Sequence, residues 1–388
     1  MTTPSTLPRA WLAVLALLTA VGPLSVDMYL PMLPEMAGEF GADASRMQLT
    51  LLGFMAGMAV GQLVGPLSDR WGRHRLLIAG TLLSTGAGAA CALAPSLEVL
   101  VGCRILQGLG GAAGVVLSRA IVADRAEGAT AARAFSLMMI INGAAPIVAP
   151  LIGGSVAGII GWRGIFWILT ALSVLMVLGA TTVLSETRPE AARSERAGAG
   201  ILGVLANRSF LGYALTFAFG FSVMFAFISA SPFVLQNVLG LSPVGNGIAV
   251  AANAFGLLAM NAVNARIVAR FGATRLLATG VTLLAVFSGL VLLVVAIRPG
   301  WVLLLVLWCT VASLGLVVAN ATSLALDQVR RAAGAGSAAL GVLQYALAAV
   351  VSPLVGLAGS HTAVPMAITM AACAGVAAVA LTLLTPGR

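Results

Sequence analysis

Long stretches without a single charged side chain dominate this chain: uncharged runs cover residues 10–26, 47–68, 76–97, 105–118, 134–162, 164–185, 209–265, 276–297, 299–326 and 332–387. A helix that crosses the hydrocarbon core of a bilayer needs about 20 mostly apolar residues, so such runs count almost one for one as spans. Two runs are double length. The run 209–265 is punctuated by Gly240-Leu241-Ser242-Pro243 and Gly245-Asn246-Gly247, and the run 332–387 by Gly359-Ser360-His361 and Pro365, all turn signals. Each holds two spans. The short run 105–118 becomes a full span, 97–123, once Arg104 is admitted into it as a buried charge. Twelve transmembrane helices are expected, and an uncleaved first helix is a simpler reading of the N-terminus than a signal peptide.

Only 9% of the residues are charged and 60% are hydrophobic, against roughly 25% and 45–50% in soluble domains. So few charges could not keep the surface of a soluble chain dispersed. The net charge of +9 comes entirely from arginine, since the sequence has no lysine. These arginines lie in short clusters between apolar runs and do not alternate with stacking aromatics, which argues against nucleic acid. They are unevenly divided. With both ends on one side, that side carries Arg9, Arg70, Arg73, Arg75, Arg119, Arg125, Arg133, Arg188, Arg193, Arg196, Arg208, Arg266, Arg270, Arg275, Arg330, Arg331 and Arg388, while Arg46, Arg163 and Arg298 lie opposite. The positive-inside rule then makes both termini cytoplasmic.

The longest polar interruption, 185–208, separates six spans from six, giving bundles at 1–184 and 209–388 joined by a cytoplasmic linker. At an offset of 200, Arg70, Gly72, Arg75, Leu76, Leu77 and Gly80 recur as Arg270, Gly272, Arg275, Leu276, Leu277 and Gly280. The halves read as duplicated bundles in the same orientation, the build of a rocking carrier with its site near the midplane. A scaffold without a substrate is the bland alternative.

No phosphate-binding glycine loop with lysine is possible, and neither a Ser/His/Asp nor a Cys/His constellation is visible. The chain is therefore not expected to be an enzyme, and it calls for no cofactor. Cys91, Cys103, Cys309 and Cys373 lie in apolar stretches, and His74 and His361 lie on opposite sides, so no metal site is expected.

The loop Gly65-Pro66-Leu67-Ser68-Asp69-Arg70-Trp71-Gly72-Arg73-His74-Arg75 resembles the signature loop of the major facilitator superfamily. Within that superfamily the chain is most similar to twelve-span drug–proton antiporters of the Bcr/CflA type, the bicyclomycin- and chloramphenicol-resistance exporters. Four further segments carry the likeness: Pro23 to Pro31, Arg104 to Gly108, Ala145 to Gly154 and Ser229 to Val234. The resemblance implies the major facilitator fold in a bacterial cytoplasmic membrane, export of small amphipathic drugs in exchange for protons, and gating by Asp69, Arg70, Gly72 and Arg73. Two departures are visible. Ala149-Pro150 stands where a Gly-Pro is usual, and an acid that some relatives carry earlier in the first span is absent. Export of one metabolite, such as an amino acid or siderophore, is the rival reading, and a monomer is expected.

Asp27 is the one acid set well inside an expected span. A carboxylate there is costly when charged, so it can take up and release a proton as its access to water changes. Counting from Arg9 places it roughly 27 Å along the helix, and a helix continuing past Pro31 and Pro34 toward Phe40 would bring it nearer mid-height. Arg104 enters from the other direction with Gln107, Gly108 and Gly111 on its face, and the expectation is an Asp27–Arg104 pair that loosens on protonation. The second loop copy has Ala269 in place of Asp69, so the second half should supply mainly binding surface. Candidates for substrate contact are Tyr29, Met138, Asn142, Phe225, Ser231, Asn253, Asn320, Gln344 and Tyr345. Amides stranded in spans must pair between helices or line a wet cavity, and methionine and aromatic side chains give an adaptable lining.

Overall fold

A computed structural model describes residues 8–126, 128–187, 201–297 and 300–385. Most of the linker, and with it Arg188, Arg193 and Arg196, lies outside the described residues, as do Arg298 and Arg388. Regular structure among the described residues is helical throughout. In lipid this is the physical expectation, because a helix satisfies its own backbone where water cannot.

The chain runs as α1 (Arg9–Asp27), a tight turn at Leu30–Met32, α2 (Leu33–Glu39), α3 (Ala44–Gly61), α4 (Val64–Trp71), α5 (Arg73–Ala92), α6 (Leu97–Arg125) and α7 (Gly128–Thr182). After the linker come α8 (Ile201–Leu205), α9 (Arg208–Phe233), a wider helical turn at Val234–Val238, α10 (Pro243–Phe271), α11 (Ala273–Ile297), α12 (Trp301–Gln328), α13 (Ala333–Leu354) and α14 (Val364–Leu384). Eleven segments are long and apolar enough to cross a membrane, and α3 with α4, bent by 41°, makes a twelfth. One of these segments is α1 and α2 together, and α7 contains two, divided near Gly161 at φ 63°.

Both double-length runs divide at the turn signals. Gly240 takes φ 70°, after which the Ser242 hydroxyl accepts from the Gly245 N–H at 3.1 Å and Pro243 opens α10. Gly359 takes φ 89° ahead of α14. The internal repeat extends to backbone conformation. Gly72 (φ 94°, ψ 151°) and Gly272 (φ 80°, ψ 146°) both reverse the chain between two helices, with N–H bonds to Ser68 O at 3.0 Å and Val268 O at 2.9 Å. This is a left-handed conformation that glycine adopts without strain.

The first span differs from a continuous helix. It stops at Asp27, turns through Met28 and Tyr29, and resumes as α2, ending at Phe40. Pro31 and Pro34 have no N–H to give, so the ladder cannot be carried through this stretch.

By contacts the described residues separate into two compact units, one within 1–29 and 53–197, the other within 30–52 and 198–388. The turn at Leu30–Met32, α2 and the beginning of α3 therefore belong with the spans after the linker. In the first unit α3 and α6 touch backbone to backbone. A Cβ on Gly57 would strike the Ile105 carbonyl, and one on Gly108 would strike the Phe54 carbonyl. Lipid gives no hydrophobic drive to join helices, so such small-residue contacts are what hold them. The second unit has a core of α9 aromatics, Phe210, Tyr213 and Phe217, against Leu277, Leu284, Leu314 and Met370.

Replacing Gly108 by leucine should cost at least about 1–3 kcal/mol by overpacking, read as a lower thermal midpoint in detergent. Gly86→Ala, where nothing lies within 4 Å of the added carbon, should leave the midpoint unchanged or slightly raised.

Candidate transport site

Asp27 is the last residue of α1 and is 4% exposed, the one buried carboxylate among the described residues. The residues that follow it are gripped from two sides. The carbonyl of Met28 lies where any side chain on Gly153 of α7 would have to go, so α7 offers the turn a bare glycine seat. Tyr29 is fully buried with its ring 5.4 Å from that of Phe166.

Arg104 is fully buried in α6. Its Nη1 donates to Gln107 Oε1 at 2.7 Å, one turn along the same helix. Its guanidinium carbon stands 4.3 Å from the ring centre of Phe54, 4.7 Å from Tyr29 and 5.7 Å from Phe166. This corrects the expected Asp27–Arg104 pair: among the described residues no ion pair or hydrogen bond reaches the Asp27 carboxylate. The reason lies in spacing and in guanidinium chemistry. Residues two apart do not share a direction, and here Tyr29, not Asp27, covers Arg104. A planar, weakly hydrated cation can lie flat against aromatic faces, each worth about 0.5–2 kcal/mol, and loses less hydration in doing so than a compact ammonium would.

The loop between α4 and α5 brings three of its four expected gating residues together. The Arg73 guanidinium pairs with Asp69 at 2.7 Å and with Asp124 of α6 at 3.2 Å, and it also donates to the Ser68 hydroxyl and to Gly65 O. Gly72 provides the reversal that lets Arg73 fold back. Arg70 is exposed and takes no part in this cluster. Two acids outside the expected gating set join this cluster: Asp124 in the last turn of α6, and Glu186 just after α7. The Glu186 carboxylate accepts from the N–H groups of Arg73 at 2.9 Å and His74 at 3.3 Å. It thus caps α5, whose N-cap position is a glycine with no side chain for the task. Thr187 bonds Asp124 at 2.9 Å, and His74 Nε2 meets Ala180 O at 2.9 Å. An acid directly after the sixth run, 164–185, was the available signal.

The substrate candidates scatter. Asn320 donates to Asn264 Oδ1 at 2.7 Å and to its own helix at Leu316 O, so these amides pair between α12 and α10. Ser231 bonds back to Ile228 O at 3.0 Å and Asn253 to Ala249 O at 2.8 Å. Met138 is buried, and Asn142 and Gln344 are half-buried. Phe225 and Tyr345 are gathered through Phe221, with ring centres 6.1 Å and 6.3 Å from it.

Two linked helical units with duplicated turns, buried charge and polar groups inside apolar spans are the build of a secondary transporter. The chain belongs to the Major Facilitator Superfamily, whose family model matches residues 15–353. It is therefore a multi-pass membrane transporter of small molecules rather than an enzyme. It is 36% identical over 386 residues to the "Uncharacterized MFS-type transporter YdgK" of Bacillus subtilis, covering 96% of this chain and 95% of that one. It is 28% identical over 378 residues to the "Bicyclomycin resistance protein homolog" of Haemophilus influenzae, with 96% and 95% covered. The "Multidrug resistance protein MdtL" of Escherichia fergusonii is 26% identical over 381 residues, with 94% and 93% covered. Among solved structures, a D-xylose-proton symporter superposes with a TM-score of 0.75 at 18% identity, covering 97% of this chain and 96% of that one. That likeness speaks for the fold alone.

The aromatic cage predicts an unusual order of substitutions. Arg104→Lys keeps the charge without the stacking plane and should destabilise more than Arg104→Met, which removes the charge and keeps volume. Thermal unfolding of the two purified variants checks this, and a lysine variant as stable as the methionine one would count against the cage.

Proposed function

We propose that this transporter exports small amphipathic drugs or antibiotics across the bacterial cytoplasmic membrane in exchange for protons, with both termini in the cytoplasm. The single observation that carries the reading is Asp27: a buried carboxyl at the end of α1, beside a break, in a chain whose relatives include proteins named for bicyclomycin and multidrug resistance.

The proposed cycle follows from where Asp27 sits. Charged, it faces buried surroundings and the negative end of the α1 dipole, and both oppose charge. Taking a proton from the outer side removes that opposition, and releasing it inward restores it. Each inward proton gains about 2.3 kcal/mol per 100 mV of interior-negative potential. The consequence travels along consecutive residues. Met28 rests on α7 at Gly153 and Tyr29 rests on Arg104 of α6, so a change at Asp27 is delivered to two neighbouring helices through one turn. In this scheme Arg104 is the fixed charge that holds the turn, and protonation belongs to Asp27. The Asp69–Arg73–Asp124 cluster acts at the cytoplasmic face as the gate, with Gly72 as its pivot and Arg70 as an outlying charge. Phe225, Phe221 and Tyr345 form the aromatic part of the binding surface in the second unit, and Met138 and Asn142 are the candidates in the first.

The test is a susceptibility panel, including bicyclomycin, in an exporter-deficient bacterium producing the protein or its Asp27→Asn variant, followed by drug-induced proton release from inverted vesicles. The protein should raise resistance to more than one compound, and Asp27→Asn should remove uphill export at least ten-fold at unchanged abundance. Undiminished export by Asp27→Asn would refute the coupling role, and protection confined to one metabolite would favour a narrow carrier.

A further inference from the structure

The helix α3 is unbroken from Ala44 to Gly61, yet its residues up to 52 pack within one compact unit and those from 53 within the other. A carrier works by moving its bundles against each other, and a single helix cannot stay fastened to both throughout. One fastening has to release.

The two fastenings differ in kind. Toward α6, α3 is held by backbone lying on backbone at Gly57 and Gly108, a contact with no alternative partner. Toward α9 and α13 it is held by a closed knot of uncharged polar groups. Gln48 Nε2 donates to Ser229 O at 3.2 Å, the Ser229 hydroxyl lies 2.9 Å from the Ser352 hydroxyl, and the Ser352 hydroxyl donates to Gln48 O at 3.1 Å. Ser45 adds a bond to Pro353 O at 3.2 Å. Gln48 is 1% exposed, and Ser229 and Ser352 are fully buried. Hydroxyls and amides exchange a protein partner for water at small net cost, which suits a contact made and broken repeatedly. The Gln48 side-chain oxygen has no hydrogen-bond partner among the described residues, and it lies against Gly356, where any Cβ would collide with it and come 2.7 Å from the Ser45 nitrogen.

We propose that Gln48, Ser229 and Ser352 form a releasable latch across the outer ends of α3, α9 and α13, and that Gly356 is the bare spot that allows it to shut. The assignment to the outer side rests on the orientation proposed above. The latch itself requires only that the protein is a transporter.

Leu51, one turn beyond Gln48 and fully buried, provides a reporter that needs no substrate. In a background with the four native cysteines replaced, Leu51→Cys should resist a membrane-impermeant maleimide applied from outside. Adding Gly356→Ala should speed labelling at least five-fold, and adding Ser352→Ala about two- to five-fold, at normal abundance. If Gly356→Ala does not accumulate, Ser352→Ala decides. A disulfide between Gln48→Cys and Ser352→Cys should arrest bicyclomycin export until reduced. If bicyclomycin is not exported by the unmodified protein, the drug reading fails and the labelling still judges the latch. Unchanged protection of Leu51→Cys or full export with the disulfide formed would each overturn the latch, and labelling faster from the inside would overturn its assignment to the outer side.

Discussion

A guanidinium buried among lipid-embedded helices has to be housed by the protein, because the surroundings supply neither water nor counter-charge. Arg104 is housed by aromatic faces contributed from three separate parts of the chain: Tyr29 after α1, Phe54 on α3 and Phe166 on α7. One cation on α6 thereby gathers its neighbours into a single environment. The position of the turn beside Asp27 depends on this, since Tyr29 is both a wall of the cage and the second residue after the acid. Gln107 completes the arrangement from within α6 itself.

The two units then divide the chemistry unequally. Among the described residues buried charge is confined to the first, in Asp27, Arg73 and Arg104. The second handles its polar groups without charge, pairing Asn320 with Asn264 and turning Thr216, Ser222 and Thr310 back onto their own helices. This matches the loss of the acid at Ala269, so the duplicated halves differ in chemistry despite their shared turns at Gly72 and Gly272.

Much of this plan was legible in the residues. Span number, the two hidden breaks and the repeated glycine reversals follow from local rules: uncharged length, glycine at positive φ, and the serine–proline start of α10. What escaped was set by tertiary packing. The partner of Arg104 could not be read from charge alone, because an acid two positions from an aromatic gives no clue as to which will face a helix distant in sequence. The role of Glu186 as a cap for α5 joins residues 113 apart, a separation no periodicity reports. The grouping of 30–52 with the later spans was equally invisible, since it depends on hydroxyl contacts that look like ordinary small residues in the sequence. Of the amides singled out for ligand contact, Asn320 is paired with a neighbouring helix and Asn253 donates back to its own, which is what polar groups in hydrocarbon most readily do.

The interrupted first span has a mechanical consequence. Because α1 and α2 are separate helical pieces joined by the short turn at Leu30–Met32, no single hydrogen-bond ladder ties the two rods, and any load passing from one to the other runs through Met28 and Tyr29, which are seated at Gly153 and at Arg104.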